Sequence, residues 1–129
     1  MPANHHIDRK AQLIITTWEG QAGDIEITEA LKKYQKAFQY HPDYSGYNEV
    51  FDARNVSSIS LTSKGVEILG RIASSTDQIE VSRKLAIIVN STFGFGIARM
   101  YLAYRNFGKR THKEIRLFKN EKDAFEWVQ

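Results

Sequence analysis

One stretch of the chain, residues 83–107, has the pattern of a buried strand, a glycine turn and a helix, in that order. The run 84–89 is almost continuously apolar and rich in β-branched residues, which is typical of a strand covered on both faces in an α/β fold. Residues 90–96 include two glycines and predict the turn, and 97–105 has apolar residues at helical spacing. Ligands of open α/β sheets bind where the carboxyl end of a strand meets the next helix. The unit therefore predicts both the fold class and the place of the site.

Strands and helices alternate along the rest of the chain. Thr28, Thr62 and Asn120 each stand where a helix N-cap is expected, and the polar segment 55–60 predicts a loop. Strands are predicted at 6–9, 11–20, 47–52, 84–89 and 114–118, and helices at 28–40, 62–73, 97–105 and 121–128. This order predicts one domain over residues 1–129, with an α/β fold in which helices alternate with the strands of a mixed, mostly parallel sheet of about five strands.

The composition excludes several classes of function. Without cysteine, the chain has no disulfide, no thiol nucleophile and no cysteine-based zinc site. Its four histidines are scattered without the spacing of metal ligands, so neither a metal site nor a cofactor is predicted. No apolar run reaches the ~20 residues that a membrane helix needs, and residues 1–6 lack the pattern of a signal peptide. We therefore expect a cytoplasmic protein without a membrane span.

Positive charge is concentrated between residues 99 and 119. This segment carries seven lysines and arginines against Glu114, although the net charge of the whole chain is only +3. One interpretation is a solvated helix end and turn. The other is a patch that contacts phosphate, an acidic protein or nucleic acid. No nucleic-acid motif accompanies the charge, so no nucleic-acid partner is predicted.

Several segments together carry a resemblance to a known fold. They are a strand that ends at Asp52, Val56 with the helix start at Leu61 and Thr62, the runs 83–89 and 95–101, the strand 115–118 and the helix 124–128. With these segments the chain resembles the SpoIIAA-like group of the STAS fold, also described as STAS/Sec14-like. The resemblance covers nearly the whole chain and implies a mixed sheet with helices beside it.

The resemblance also implies a regulatory or binding role. STAS proteins act through protein contact, and some are switched by phosphorylation of a serine or threonine at the helix start after the strand that ends in aspartate. By that position Thr62 and Ser63 are the candidate phosphoacceptors. The antagonist motif Asp-Ser-Ser-Gly is replaced here by Ser60-Leu61-Thr62-Ser63. Sec14-like relatives bind lipophilic molecules, which makes a small lipophilic or anionic ligand the alternative.

A crevice at the carboxyl ends of the strands is the candidate ligand site. Helix-start amides and a nearby arginine favour anions. We expect six residues to meet there: Asp52, Asn90, Thr92, Gly94, Gly96 and Arg99. The alternatives are that Asp52 pairs with Arg54, and that the two glycines serve a tight turn and close packing.

An aromatic cluster surrounds the end of the first predicted helix. Its members are Tyr34, Phe38, Tyr40, Tyr44 and Tyr47. Core packing is one interpretation. A lipophilic pocket or a homodimer face between this helix and the sheet is the other.

Taken together, the patterns predict a non-enzymatic regulatory or binding module that acts through protein contact. A carrier or sensor of a small lipophilic or anionic ligand is the alternative. An enzyme ranks third, because the chain lacks the Gly-x-Ser-x-Gly nucleophile elbow. The protein partner is not identified by any residue pattern.

Overall fold

A computed structural model describes residues 3–39, 41–44, 46–74, 83–107 and 113–129. Tyr40, one member of the predicted aromatic cluster, lies outside the described residues, as do residues 108–112 of the basic segment. The strands are β1 (Ala3–Asp8), β2 (Leu13–Gly23), β3 (Asn48–Ser60), β4 (Arg83–Ile88) and β5 (Lys113–Phe118). The helices are α1 (Asp24–Tyr34), α2 (Ser63–Ser74), α3 (Thr92–Phe107) and α4 (Glu121–Val128). A wide helical turn, Gln35–Gln39, and a short turn, Pro42–Tyr44, follow α1.

The five strands form one sheet in sequence order, β1-β2-β3-β4-β5. The first pair is antiparallel and the other three pairs are parallel, so the predicted mixed, mostly parallel α/β sheet is confirmed. Crossovers between parallel strands are right-handed. Because each crossover here steps in the same direction, α1, α2 and α3 lie on one face of the sheet, and α4 packs on the other face against β3, β4 and β5.

The face covered by α4 holds a hydrophobic core. Side chains alternate between the two faces along each strand, so every second residue of the central strands points toward α4. Buried residues of this core are Leu13, Val50, Ala86, Ile88, Ala124 and Val128. The predicted burial of 85–89 is confirmed for four residues, but Leu85, which faces the opposite side of the sheet, is only half-buried.

Several element boundaries differ from the predictions, among them those of β3 and α1. Residues 55–60 are not a loop, because their backbone pairs with β2 as far as Ser60 opposite Gly23, which satisfies the polar groups of the extended strand. The pairing is interrupted near Gly20, whose φ of +90° suits glycine. Thr28 is not an N-cap, because α1 already begins at Asp24 directly after β2, with Gly23 at the cap position.

Candidate functional site

A cavity of about 260 Å³ lies between the sheet and helices α1, α2 and α3. Its wall is mainly apolar, with Trp18 and Phe51 from the sheet and Leu31, Leu69 and Ile97 from the helices. Each of the three helices contributes a small side chain to the wall: Ala30 from α1, Ala73 from α2 and Ala98 from α3. Small residues fill less of the space between layers, which leaves room for a ligand between this face and its helices.

A buried ion pair closes the inner end of the cavity. Lys113 Nζ lies 2.6 Å from Glu49 Oε2, and the two side chains are only 6% and 7% exposed. The Tyr34 hydroxyl donates a hydrogen bond to the same carboxylate. All three residues line the cavity. Since Glu49 and Lys113 stand at the amino ends of β3 and β5, the polar end lies at the amino edge of the sheet.

The charge state of Lys113 is set by competing effects. Burial lowers the pKa of its ammonium, the Glu49 carboxylate raises it, and the positive charge of Arg83 lowers it further, with a smaller effect from Arg105. Both arginines are themselves buried. A buried charge in a cavity is the arrangement in which functional sites shift a pKa.

A histidine shares this end of the cavity. His5 Nδ1 lies 2.8 Å from Thr16 Oγ1, and the imidazole ring packs 5.3 Å from the rings of both Tyr34 and Phe38. Burial lowers the pKa of His5, although the charge of Glu49 partly raises it. His5 is therefore held toward its neutral form, with one ring nitrogen engaged by Thr16.

The outer end of the cavity lies at the carboxyl edge of the sheet. Asn90 and Ser91, directly after β4, line the cavity and are exposed to solvent. Two large apolar side chains are also exposed at this edge: Ile25 in the first turn of α1 (69% exposed) and Phe93 in the first turn of α3 (60% exposed). The cavity thus opens at the edge where ligands of such sheets bind.

The six predicted site residues do not meet in one crevice. Asn90 and Gly94 line the cavity. Asp52 instead belongs to the opposite face, where the Arg54 guanidinium donates to both of its carboxylate oxygens and also to Glu121 of α4. These hydrogen bonds hold the pKa of Asp52 below its ordinary value. The side chains alternate along β3, so Asp52 cannot face the cavity that Phe51 and Ala53 line.

The glycine segment is helical rather than a turn. Helix α3 begins at Thr92, and Ser91 caps it by accepting a hydrogen bond from the N–H of Gly94 at 2.9 Å. Gly94 is buried next to Val89, in line with the predicted close packing. Thr92, Gly96 and Arg99 are exposed on α3 and do not line the cavity. Four of the six residues therefore belong to α3, and Asn90 lies between β4 and α3, but they point in different directions.

The two candidate phosphoacceptors differ in their surroundings. Thr62 is the N-cap of α2, as predicted, because its hydroxyl accepts from the N–H of Gly65 at 3.0 Å. The same hydroxyl donates to Asp24 Oδ2 at 2.7 Å. Ser63 is exposed at the first residue of α2. The hydroxyl of Thr62 is thus engaged as both donor and acceptor.

The basic segment is not simply a solvated helix end and turn. Among its described residues, Arg105 is buried and its guanidinium donates to Ser74 Oγ at 2.8 Å, while Lys113 is the buried partner of Glu49. Sequence reasoning missed this cluster. Glu49 and Lys113 are far apart in the chain, and only the sheet topology brings the amino ends of their strands together. The signal in the sequence that could have indicated this pair was an isolated charged residue at the start of an apolar strand.

The aromatic cluster packs largely as a core. The Phe38 ring lies 5.5 Å from Tyr34 and 6.0 Å from Tyr44, which in turn lies 5.4 Å from Tyr47. Only Tyr34 among these lines the cavity.

No group of three or more histidine, aspartate or glutamate side chains is arranged to hold a metal ion within residues 3–39, 41–44, 46–74, 83–107 and 113–129. No helix in these same ranges combines the length and apolar character required to cross a bilayer.

Comparison with known proteins identifies the fold. No protein-family model and no curated protein matches the chain. A crystal structure of an uncharacterized DUF3478-family protein from Shewanella loihica PV-4, described as having a SpoIIAA-like fold, superposes with a TM-score of 0.56 at 16% sequence identity. The match covers 98% of this chain and 92% of the other. The predicted resemblance is confirmed at the level of architecture: this chain has a SpoIIAA-like fold.

Proposed function

We propose that this protein is a non-enzymatic binding module that holds a small, mainly apolar molecule in the cavity between the sheet and α1–α3. The observation that carries the proposal is the cavity itself, about 260 Å³ with an apolar wall, open at the carboxyl edge and closed by a buried ion pair. Ligand pockets are concave and apolar, with a few convergent polar groups. Burial of an apolar ligand there would be driven by removal of its surface from water.

Binding without chemical conversion is the proposed mode of action. The polar groups at the inner end hold one another, since Glu49 is paired with Lys113 and accepts from Tyr34, and His5 is engaged with Thr16. Such mutual pairing favours recognition of a ligand over attack on it. We propose the cytoplasm as the location of this activity, and the absence of cysteine is compatible with that location.

A cavity-filling variant tests the proposal. Ala98→Leu puts a larger side chain into the cavity wall, and Ala103→Leu makes the same change at an exposed position of α3. Affinity for the fluorescent probe N-phenylnaphthylamine should fall at least about tenfold in Ala98→Leu and stay unchanged in Ala103→Leu. Equal affinity in both variants, or no binding by the unmodified protein, would overturn the proposal. Native mass spectrometry of the freshly purified protein would show whether a ligand is carried along.

Regulation through protein contact is the second candidate. Ile25 and Phe93 favour it, because two large apolar side chains exposed at one edge of the sheet are suited to a protein interface. The double change Ile25→Ser and Phe93→Ser should then abolish binding of a copurifying protein without altering the affinity for the probe. Retention of the same protein by the double variant would remove this support. The same double variant tests whether the partner is a second copy of the chain, by measuring the mass of the protein in solution.

A further inference from the structure

The imidazole of His5 keeps one hydrogen-bonding atom unused at the inner end of the cavity. His5 and Thr16 are direct neighbours across the antiparallel pair of β1 and β2, and both line the cavity. The Nδ1 atom of His5 lies 2.8 Å from Thr16 Oγ1. Its Nε2 atom has no hydrogen-bond partner among the described residues and is not closed off by the protein. One ring nitrogen is therefore left for a ligand.

The other polar groups at this end are engaged with one another. The Tyr34 hydroxyl donates to Glu49, and Glu49 is paired with Lys113. The rings of Tyr34 and Phe38 pack against the imidazole at 5.3 Å each, and together with the bond to the strand they fix its orientation. A polar group that is already ordered loses little freedom when a ligand bonds to it.

The bond to Thr16 determines which ring nitrogen carries the proton. Burial favours the neutral form of His5, and a neutral imidazole has one N–H donor and one acceptor nitrogen. Thr16 is buried, and its hydroxyl makes no other hydrogen bond within the described ranges. A buried hydroxyl that only accepted from Nδ1 would leave its own proton without an acceptor, which is costly. The hydroxyl therefore donates to Nδ1, and the ring proton is on Nε2.

We propose that the ligand is an apolar molecule with a neutral carbonyl group, whose oxygen accepts a hydrogen bond from the Nε2–H of His5. This inference rests on the proposed function and names its ligand class. A carbonyl oxygen satisfies this donor and adds no proton of its own, whereas a hydroxyl would bring a proton that needs a further acceptor. A carboxylate would meet the negative charge of Glu49, which acts on the same imidazole.

Nitrogen NMR of the histidine side chains tests the donor on the unmodified protein, at a pH above the ordinary pKa of histidine. The signals of His5 should have the pattern of an imidazole protonated on Nε2. Added acetylnaphthalene should move the Nε2 signal downfield, because the N–H then donates to the carbonyl oxygen. Ethylnaphthalene, substituted at the same ring position, should leave it in place. A proton on Nδ1, or equal shifts with both compounds, would overturn the inference.

The same two compounds measure what His5 contributes to affinity, since they share a shape and differ in the oxygen. Each would be titrated in competition with N-phenylnaphthylamine. His5→Phe keeps a ring and removes the donor, so the affinity for acetylnaphthalene should fall about fivefold relative to that for ethylnaphthalene. Equal changes in both affinities, or a bound probe that neither compound displaces, would overturn the inference and leave the cavity function standing. If His5→Phe does not fold, the NMR experiment decides.

His6→Phe is the matched control. His6 is the next residue of β1 and is exposed, because side chains alternate between the two faces along a strand. The same substitution should therefore leave both affinities unchanged. A weaker preference for acetylnaphthalene in His6→Phe would show that any change in β1 has this effect, and it would overturn the role of the His5 donor.

Thr16→Val tests the residue that positions the proton. Valine keeps the shape of the side chain and removes the hydroxyl, so the ring proton of His5 should be shared between both nitrogens. The affinity for acetylnaphthalene relative to ethylnaphthalene should then fall about twofold. An unchanged NMR pattern of His5 in this variant would overturn the role assigned to Thr16.

Discussion

The carboxylate of Asp24, the first residue of α1, accepts hydrogen bonds from both the backbone N–H and the hydroxyl of Thr62, at 3.0 and 2.7 Å. Thr62 also caps α2. The contact therefore ties the starts of two helices together at the carboxyl edge of the sheet, beside the open end of the cavity. Gly65 lies under this carboxylate, where a Cβ atom would overlap with it.

A double-mutant cycle between Gly65 and Asp24 should show strong coupling. Gly65→Ala should lower the free energy of unfolding by about 1–3 kcal/mol, because the added methyl collides with the Asp24 carboxylate. In an Asp24→Ala background the same change should be neutral or stabilise by up to about 1 kcal/mol, since alanine favours helix over glycine. Urea denaturation measures both. Equal losses of unfolding free energy in the two backgrounds would contradict the contact between Gly65 and the Asp24 carboxylate.

Acidic substitutions should separate the two candidate phosphoacceptors. Thr62→Glu removes an N-cap and brings a second carboxylate toward Asp24, so it should destabilise the fold by about 1–2 kcal/mol. Ser63→Glu adds a negative charge at the exposed first residue of α2, which the helix dipole favours by a few tenths of a kcal/mol. Thermal denaturation compares them. If Thr62→Glu has the same melting temperature as the unmodified protein, the contact with Asp24 contributes little to stability. Thr62 then remains the better candidate phosphoacceptor of the two.

Two glycines of α3 should respond oppositely to alanine. Gly96 is exposed with open space at its Cβ position, so Gly96→Ala should stabilise the fold by about 0.5–1 kcal/mol. At Gly94 a Cβ would come within 2.8 Å of Ser91 Oγ, which disturbs the cap and should cost about 1 kcal/mol. The free energy of unfolding in urea measures both. A loss of unfolding free energy in Gly96→Ala would instead favour the turn that the sequence predicts at residues 90–96.

Neighbouring isoleucines of β4 should differ in their contribution to stability. Ile88 is fully buried in the core under α4, and Ile87 faces the cavity. Truncation leaves a new void in the first case and enlarges an existing space in the second. Ile88→Ala should therefore cost about 3–5 kcal/mol, and Ile87→Ala about 2 kcal/mol. A loss below about 0.5 kcal/mol at Ile87 would reject its place on a central strand, and a larger loss at Ile87 than at Ile88 would argue against the cavity.

His5 should make stability sensitive to mild acid. Burial lowers the pKa of its imidazole in the folded chain below the ordinary 6.5, so the unfolded chain binds the proton more readily. The neutral His5 imidazole therefore contributes fully to the free energy of unfolding at a pH above its ordinary pKa. This contribution is lost as the pH falls below that value. The drop in unfolding free energy from about pH 7.5 to about pH 5.5 should thus be smaller in His5→Gln than in the unmodified protein. The control, His6→Gln at an exposed position, should retain the full drop.

Local pattern was sufficient for the elements with strong periodicity. The apolar run that became β4, the Thr62 cap and the Asn120 cap, whose side chain accepts from Asp123 N–H at 2.9 Å, were predicted correctly. In each of these, the deciding interactions lie within a few residues of the chain. The alternation of strands and helices also predicted a mostly parallel sheet, because parallel strands need a crossover.

Elements that depend on distant partners were missed. Residues 55–60 look like a loop because they are polar, yet pairing with β2 makes them strand. The glycine segment is a different case, because its deciding interaction is local: Gly94 and Gly96 indicate a turn by composition, yet the cap at Ser91, three residues before Gly94, starts the helix before them. The Asp52 crevice failed for a related reason: a position at the end of a strand does not tell which face the side chain takes until the register is known.

The sequential strand order has a consequence for how the chain folds during synthesis. Helices α1, α2 and α3 are each made between the strands that they connect, so their face of the sheet can be covered as it grows. Helix α4 follows all five strands, and until it is made, Val50, Ala86 and Ile88 have no cover. Until α4 is made, the growing sheet would carry an open apolar surface on this face, so the eight residues of α4 complete the cover that protects it from aggregation.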